Sequence, residues 1–120
     1  MSPLLFLGAA LAGGVGAVLR YLADLGVARL AGRRFPWGIF LVNLTGSFAL
    51  GLVTAALPEH AFVLGAGLLG GYTTFSTAML DTVVLWREGE GRAAAVNAIG
   101  MLALGLIAAG LGLALGSALG

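Results

Sequence analysis

Four long stretches of this sequence are almost free of charge, and only short links separate them. A bilayer core about 30 Å thick needs roughly 20 apolar residues per helix. The runs Pro3–Leu25, Trp37–Leu57, Ala61–Trp86 and Arg92–Leu119 all meet that length. Lipid cannot hydrogen-bond a free backbone group, so such runs become helices. Only 9% of the residues are charged, where a soluble domain carries about 25%. Five of the six arginines and three of the five acids lie outside the runs or at their ends. The expectation is an all-α integral membrane protein of four spans, with residues 1–120 forming one domain. The apolar start at Leu4 has no basic residue before it, and Arg20 is the first positive charge. A secretory signal would begin with positive charge. Residues 3–25 therefore read as a retained first span.

The third run carries an interruption. Gly70-Gly71-Tyr72-Thr73-Thr74-Phe75-Ser76-Thr77 places two glycines and four aliphatic hydroxyls in eight residues. That composition predicts a helix broken near mid-membrane. Such a break is tolerated only where protein or a wet cavity surrounds it. Transport proteins place ion sites at broken helices of this kind.

The links Gly26–Pro36, Pro58–His60 and Arg87–Gly91 are short, so consecutive spans are antiparallel neighbours. Tyr21, Trp37 and Trp86 fall near span ends, where amphipathic rings favour the interface. Ala12 and Gly16, Gly112 and Gly116, and Gly116 and Gly120 stand four apart. This spacing puts small residues on one helix face and lets backbones approach. Arg29, Arg33 and Arg34 lie in one link, and Arg87 and Arg92 flank another on the same side. The opposite link carries His60 and no lysine or arginine. The positive-inside rule puts both arginine-bearing links in the cytoplasm and both termini outside.

Few side chains within the spans can do chemistry. Arg20 either snorkels toward the near interface, with Asp24 one turn away, or lines an ion vestibule. Asn43 and Ser47 share a face of span two, and Asn97 repeats the theme in span four. Each amide can serve an anion or an interhelical hydrogen bond. Asp81 follows the interruption, where it sets a local field or bonds a neighbouring helix. Phe75 is core, or turns its positive ring edge toward an anion. The chain has no Ser/His/Asp grouping, no His/Glu metal spacing, no phosphate loop and no cysteine, which argues against an enzyme. With a net charge of +1 it has no basic footprint for nucleic acid.

Three blocks carry a resemblance to the Fluc/CrcB family of fluoride channels. Gly13-Gly14-Val15-Gly16-Ala17-Val18-Leu19-Arg20-Tyr21 is similar to the family's GGxxGAxxRY. Pro36-Trp37-Gly38, followed by Val42-Asn43-Leu44-Thr45-Gly46-Ser47-Phe48, is similar to PxGTLxVNxxGSF. The run from Gly70 to Thr77 is similar to GGFTTFST. The resemblance implies a multi-pass protein of the bacterial inner (plasma) membrane, passive fluoride efflux and an antiparallel dimer with two pathways. It implies a structural sodium ion at the dimer centre, held by the main-chain carbonyls of Gly70 and Thr73. Asn43, Phe75, Ser76 and Thr77 would line the anion pathway, with Arg20 near a vestibule and Asn97 and Asp81 as further candidates.

The chain departs from the family at four places. Ala78 stands where a second phenylalanine is frequent, Ile39 where threonine is common, and Met101 where span four commonly has serine. Asp81 stands where the family has glutamate. The first three each remove a polar or aromatic pathway group and leave the dimer scaffold in place. The partner is therefore a second copy of the chain or a related subunit of opposite orientation. Two other readings compete. A small multidrug-type cation exporter would need a carboxylate within span one, where the first acid is Asp24 near its end. A non-transporting membrane assembly subunit would use Asn43 and the Thr73–Thr77 run for packing alone.

Overall fold

A computed structural model describes residues 2–120, and among them every regular element is helical. Helix α1 (Pro3–Ala31) starts where Ser2 Oγ accepts from the Leu5 amide and Pro3 occupies the first turn. It runs six residues beyond the expected Leu25, because Val27, Ala28, Leu30 and Ala31 continue the helix past Gly26. It stops at Gly32, whose φ of 78° suits a residue without Cβ. Helix α2 (Trp37–Ala56) follows a short aromatic corner, in which Phe35 sits 4.8 Å from Trp37 and 5.8 Å from Phe40 between ring centroids.

The third apolar segment, Pro58–Arg87, is built from several pieces. A single 3₁₀ turn at Pro58–His60 leads into a wide, π-helical stretch, Ala61–Leu69, and then one turn, α3 (Gly70–Tyr72). The backbone is extended at Thr73 (φ −80°, ψ 158°) and Thr74 (φ −151°, ψ 125°). Helix α4 (Phe75–Arg87) then begins, with the Thr74 hydroxyl capping the Thr77 amide. The fourth segment, Gly91–Leu119, consists of α5 (Gly91–Ala95), a π-helical turn at Val96–Gly100 and α6 (Met101–Leu119). All four segments are long and apolar enough to cross a membrane, so the chain is a multi-pass membrane protein.

Glycine sets how closely these helices pack. A Cβ on Gly16 would strike the Leu68 carbonyl, and one on Gly71 would strike the Gly13 carbonyl, so α1 lies directly on the first half of the third segment. Gly51 and Gly112 do the same for α2 and α6, the most extensive helix pair in the molecule. Gly116 continues that seam one turn on. Backbones this close gain dispersion contacts that lipid does not supply. The side-chain core is small. Ile39, Phe40, Ala78 and Met101 are buried where α2, α4 and α6 meet, with Phe35, Leu44 and Met79 around them. Most other large apolar side chains point outward, as a lipid-facing surface requires.

Candidate functional site

The two-residue interruption is held open by one side chain from α2. Asn43 Nδ2 donates to the Thr74 carbonyl (2.8 Å), and the Thr74 amide donates to Asn43 Oδ1 (2.9 Å). The carboxamide thus does for Thr74 what a neighbouring strand would do. In an unbroken helix the Thr74 amide would bond the Gly70 carbonyl four residues back. Gly46, one turn along α2, leaves room for the Thr73 methyl, since a Cβ there would collide with Thr73 Cγ2. Thr45 Oγ1 and the Tyr72 hydroxyl meet at 3.1 Å on the adjoining face.

Charge is distributed across the interruption in a definite way. The carbonyls of Gly70–Tyr72 end a helical piece and carry partial negative charge, while the first amides of α4 carry partial positive charge. Arg20 bonds the extended residue next to those carbonyls. Its Nη1 donates to the Thr73 carbonyl at 3.3 Å, although the two residues lie 53 apart in sequence. Asp24, one turn beyond Arg20, instead lies against Gly38 at the start of α2. Phe75 and Ser76 sit at the opposite, amide-rich end, and Ser76 Oγ is 3.5 Å from Thr74 Oγ1.

Asn43, Gly70, Thr73, Thr74 and Phe75 line one open groove of about 890 Å³ that reaches α6 at Met101. Phe75 is 78% exposed there, so the single chain leaves its ring uncovered. Thr77 and Asp81 face a second, smaller cavity of about 220 Å³ with Asp24, Arg33 and Gly38. Asn97 stands apart from both. It is fully buried, and its Nδ2 donates to Thr82 Oγ1 (2.9 Å) and the Ala78 carbonyl (3.3 Å). Its Oδ1 has no partner among the described residues. Turning the amide over would aim Oδ1 at the Ala78 carbonyl, so the orientation is fixed by repulsion.

Two pairings escaped the sequence reading. Thr74 both caps α4 and pairs with Asn43; a threonine three residues before another polar residue at a helix start is the signal for the first role only. Met101 accepts from Asn43 Nδ2 through Sδ at 3.0 Å, a pairing across 58 residues that no local pattern announces.

Comparison with known proteins identifies the family. The model of the family described as CrcB-like protein, Camphor Resistance (CrcB), matches residues 7–113. A protein of Leifsonia xyli subsp. xyli named fluoride-specific ion channel FluC 1 is 48% identical over 122 residues, covering 97% of this chain and 89% of that protein. A FluC 1 of Symbiobacterium thermophilum is 51% identical over 113 residues, covering 88% of this chain and 91% of the relative. A FluC 2 of Mycobacterium bovis is 46% identical over 110 residues, covering 90% and 87%. With the interruption, the four apolar segments and these likenesses together, the chain belongs to the CrcB family.

Proposed function

We propose that this chain is one subunit of a passive fluoride channel. The observation that carries the reading is the Asn43–Thr74 pairing, which keeps main-chain carbonyls and a helix N-terminus exposed in the middle of an apolar segment. Fluoride is small and strongly hydrated, so a pathway must replace lost water with donors. The α4 N-terminus, the Ser76 hydroxyl and the Phe75 ring edge are donors of that kind, and the Asn43 amide becomes one when its bond to Met101 Sδ yields. The relatives of known name are fluoride-specific ion channels, which supplies the anion. Fluoride that enters as the neutral acid ionises in a more alkaline cytoplasm, and a passive pathway then releases it.

A sodium ion belongs to this reading, and the backbone fits it. The Thr74 amide is taken by Asn43, which frees the Gly70 carbonyl from its helical partner. The Thr73 carbonyl accepts from Arg20 with one lone pair and keeps a second for an ion. Oxygen-only ligands from unwound backbone suit sodium. Gly70 and Thr73 of two subunits would hold it, and the bound charge offsets part of the cost of desolvating the anion. An antiparallel partner, a second copy or a related subunit, would cover the groove and the exposed Phe75 ring. Arg20, Thr77 and Asp81 would shape the field at the pathway's mouth, with both arginine-bearing links in the cytoplasm. Asn97 offers an anion no free donor in this arrangement, and would act through α4.

A cation exporter is disfavoured by the position of Asp24, which packs on Gly38 beside Arg33 rather than along the centre of α1. The deciding experiment reconstitutes the purified protein in potassium-fluoride-loaded liposomes and follows efflux with a fluoride electrode after adding a potassium ionophore. Fluoride release with no matching chloride release is expected. Absence of fluoride release, from this chain alone and from this chain with a related subunit, overturns the proposal.

A further inference from the structure

Asn43 has two amide hydrogens, and both are spent within this chain. One goes to the Thr74 carbonyl at 2.8 Å and the other to Met101 Sδ at 3.0 Å. The first bond is part of the two-way pairing that holds the interruption open. The second is to a thioether, a weak acceptor on a flexible side chain. It is therefore the only one of the two that an anion can displace without dismantling the backbone.

We propose that Met101 caps the Asn43 amide and throttles anion passage along this chain's own pathway. The inference rests on fluoride passing Asn43, as set out above. Met101 is held in place for the task. It begins α6 directly after the π-helical turn Val96–Gly100, and it is buried to 9% exposure among Ile39, Phe40 and Ala78. An arriving fluoride has to push Sδ off the amide while the rest of the side chain stays wedged in that cluster. It gains no replacement donor from position 101, because a thioether has none. A hydroxyl at the same place would both release the amide and add a donor. The scaffold is untouched by the difference, since Asn43 keeps both bonds to Thr74.

The test compares the wild type with Met101→Ser and Met101→Leu in the same liposome assay. Leucine nearly conserves the buried volume but cannot accept a hydrogen bond. Met101→Ser is expected to raise fluoride efflux per dimer by roughly tenfold, with Met101→Leu between it and the wild type. A second readout is independent of flux. In detergent, titration with sodium fluoride is followed on the ¹⁵N side-chain amide signal of Asn43, with sodium chloride as control. Fluoride is expected to shift that signal in Met101→Ser at concentrations that leave the wild type unmoved. Equal fluoride efflux from all three proteins, or equal shifts in wild type and Met101→Ser, overturns the role of Met101 and leaves the channel reading intact. Failure of all three folded proteins to conduct, both alone and paired with a related subunit, overturns both.

Discussion

Asn43 and Thr74, 31 residues apart, exchange two hydrogen bonds in both directions, at 2.8 and 2.9 Å. This single pair decides where the third apolar segment stops being a helix, because it gives the Thr74 backbone a partner that lipid cannot. The fold around it follows: α2 must lie close enough for the carboxamide to reach, and Gly46 makes that approach possible.

Asn43→Leu is therefore expected to do more than remove one interhelical bond. It strands a backbone amide and a carbonyl where the surroundings offer no replacement, at a cost of about 2–4 kcal/mol. Unfolding in detergent should show a loss of that size, and fluoride efflux should vanish. A variant with wild-type stability and wild-type efflux would leave the pair without the role assigned to it.

Asn97 should behave differently, although it is the more deeply buried of the two. Its Oδ1 is unpaired among the described residues, and Thr82 Oγ1 keeps a bond to the Ala78 carbonyl without it (2.9 Å). Asn97→Leu trades a modest interhelical bond for removal of an unsatisfied oxygen, so its stability should stay within about 1 kcal/mol of the wild type. Thermal unfolding of the Asn43 and Asn97 variants side by side measures the contrast.

The α1 seam gives a paired test of packing. Gly16→Ala drives a methyl into the Leu68 carbonyl and the Tyr72 amide, backbone atoms that cannot swing aside. A loss of about 1–3 kcal/mol is expected. Gly14→Ala meets nothing within 4 Å and should be neutral or gain up to about 1 kcal/mol from helix propensity. Comparable losses in both would show that the seam does not govern stability.

Orientation is open to labelling, because the chain has no cysteine of its own. His60→Cys should react with a membrane-impermeant maleimide in intact cells, while Arg34→Cys and Glu88→Cys should react only after lysis. Partial reaction of every site from both sides would mean that the arginine bias does not select one orientation.

Much of the architecture was legible from the residues alone. Four apolar runs and their short links define the segments, because a solvent that bonds no backbone makes helix formation a local requirement. The small residues Gly16, Gly112 and Gly116 marked the seams for the same reason: close approach depends on what each residue lacks. Boundaries were less legible. Gly26 reads as a link residue, yet α1 passes through it to Ala31, since nothing there competes with the helix until Gly32 reaches positive φ.

The composition of the Gly70–Thr77 run singled out where the chain was weakest as a helix, but only the packing of α2 against it decided that Thr73 and Thr74 are the extended pair. Tertiary structure alone directed Arg20 to the Thr73 carbonyl, Asn97 into the α4 backbone and Met101 onto Asn43. Each of those contacts joins residues from different membrane segments. Residue type tells what a polar side chain in a membrane needs, and only the arrangement of helices tells which partner meets that need.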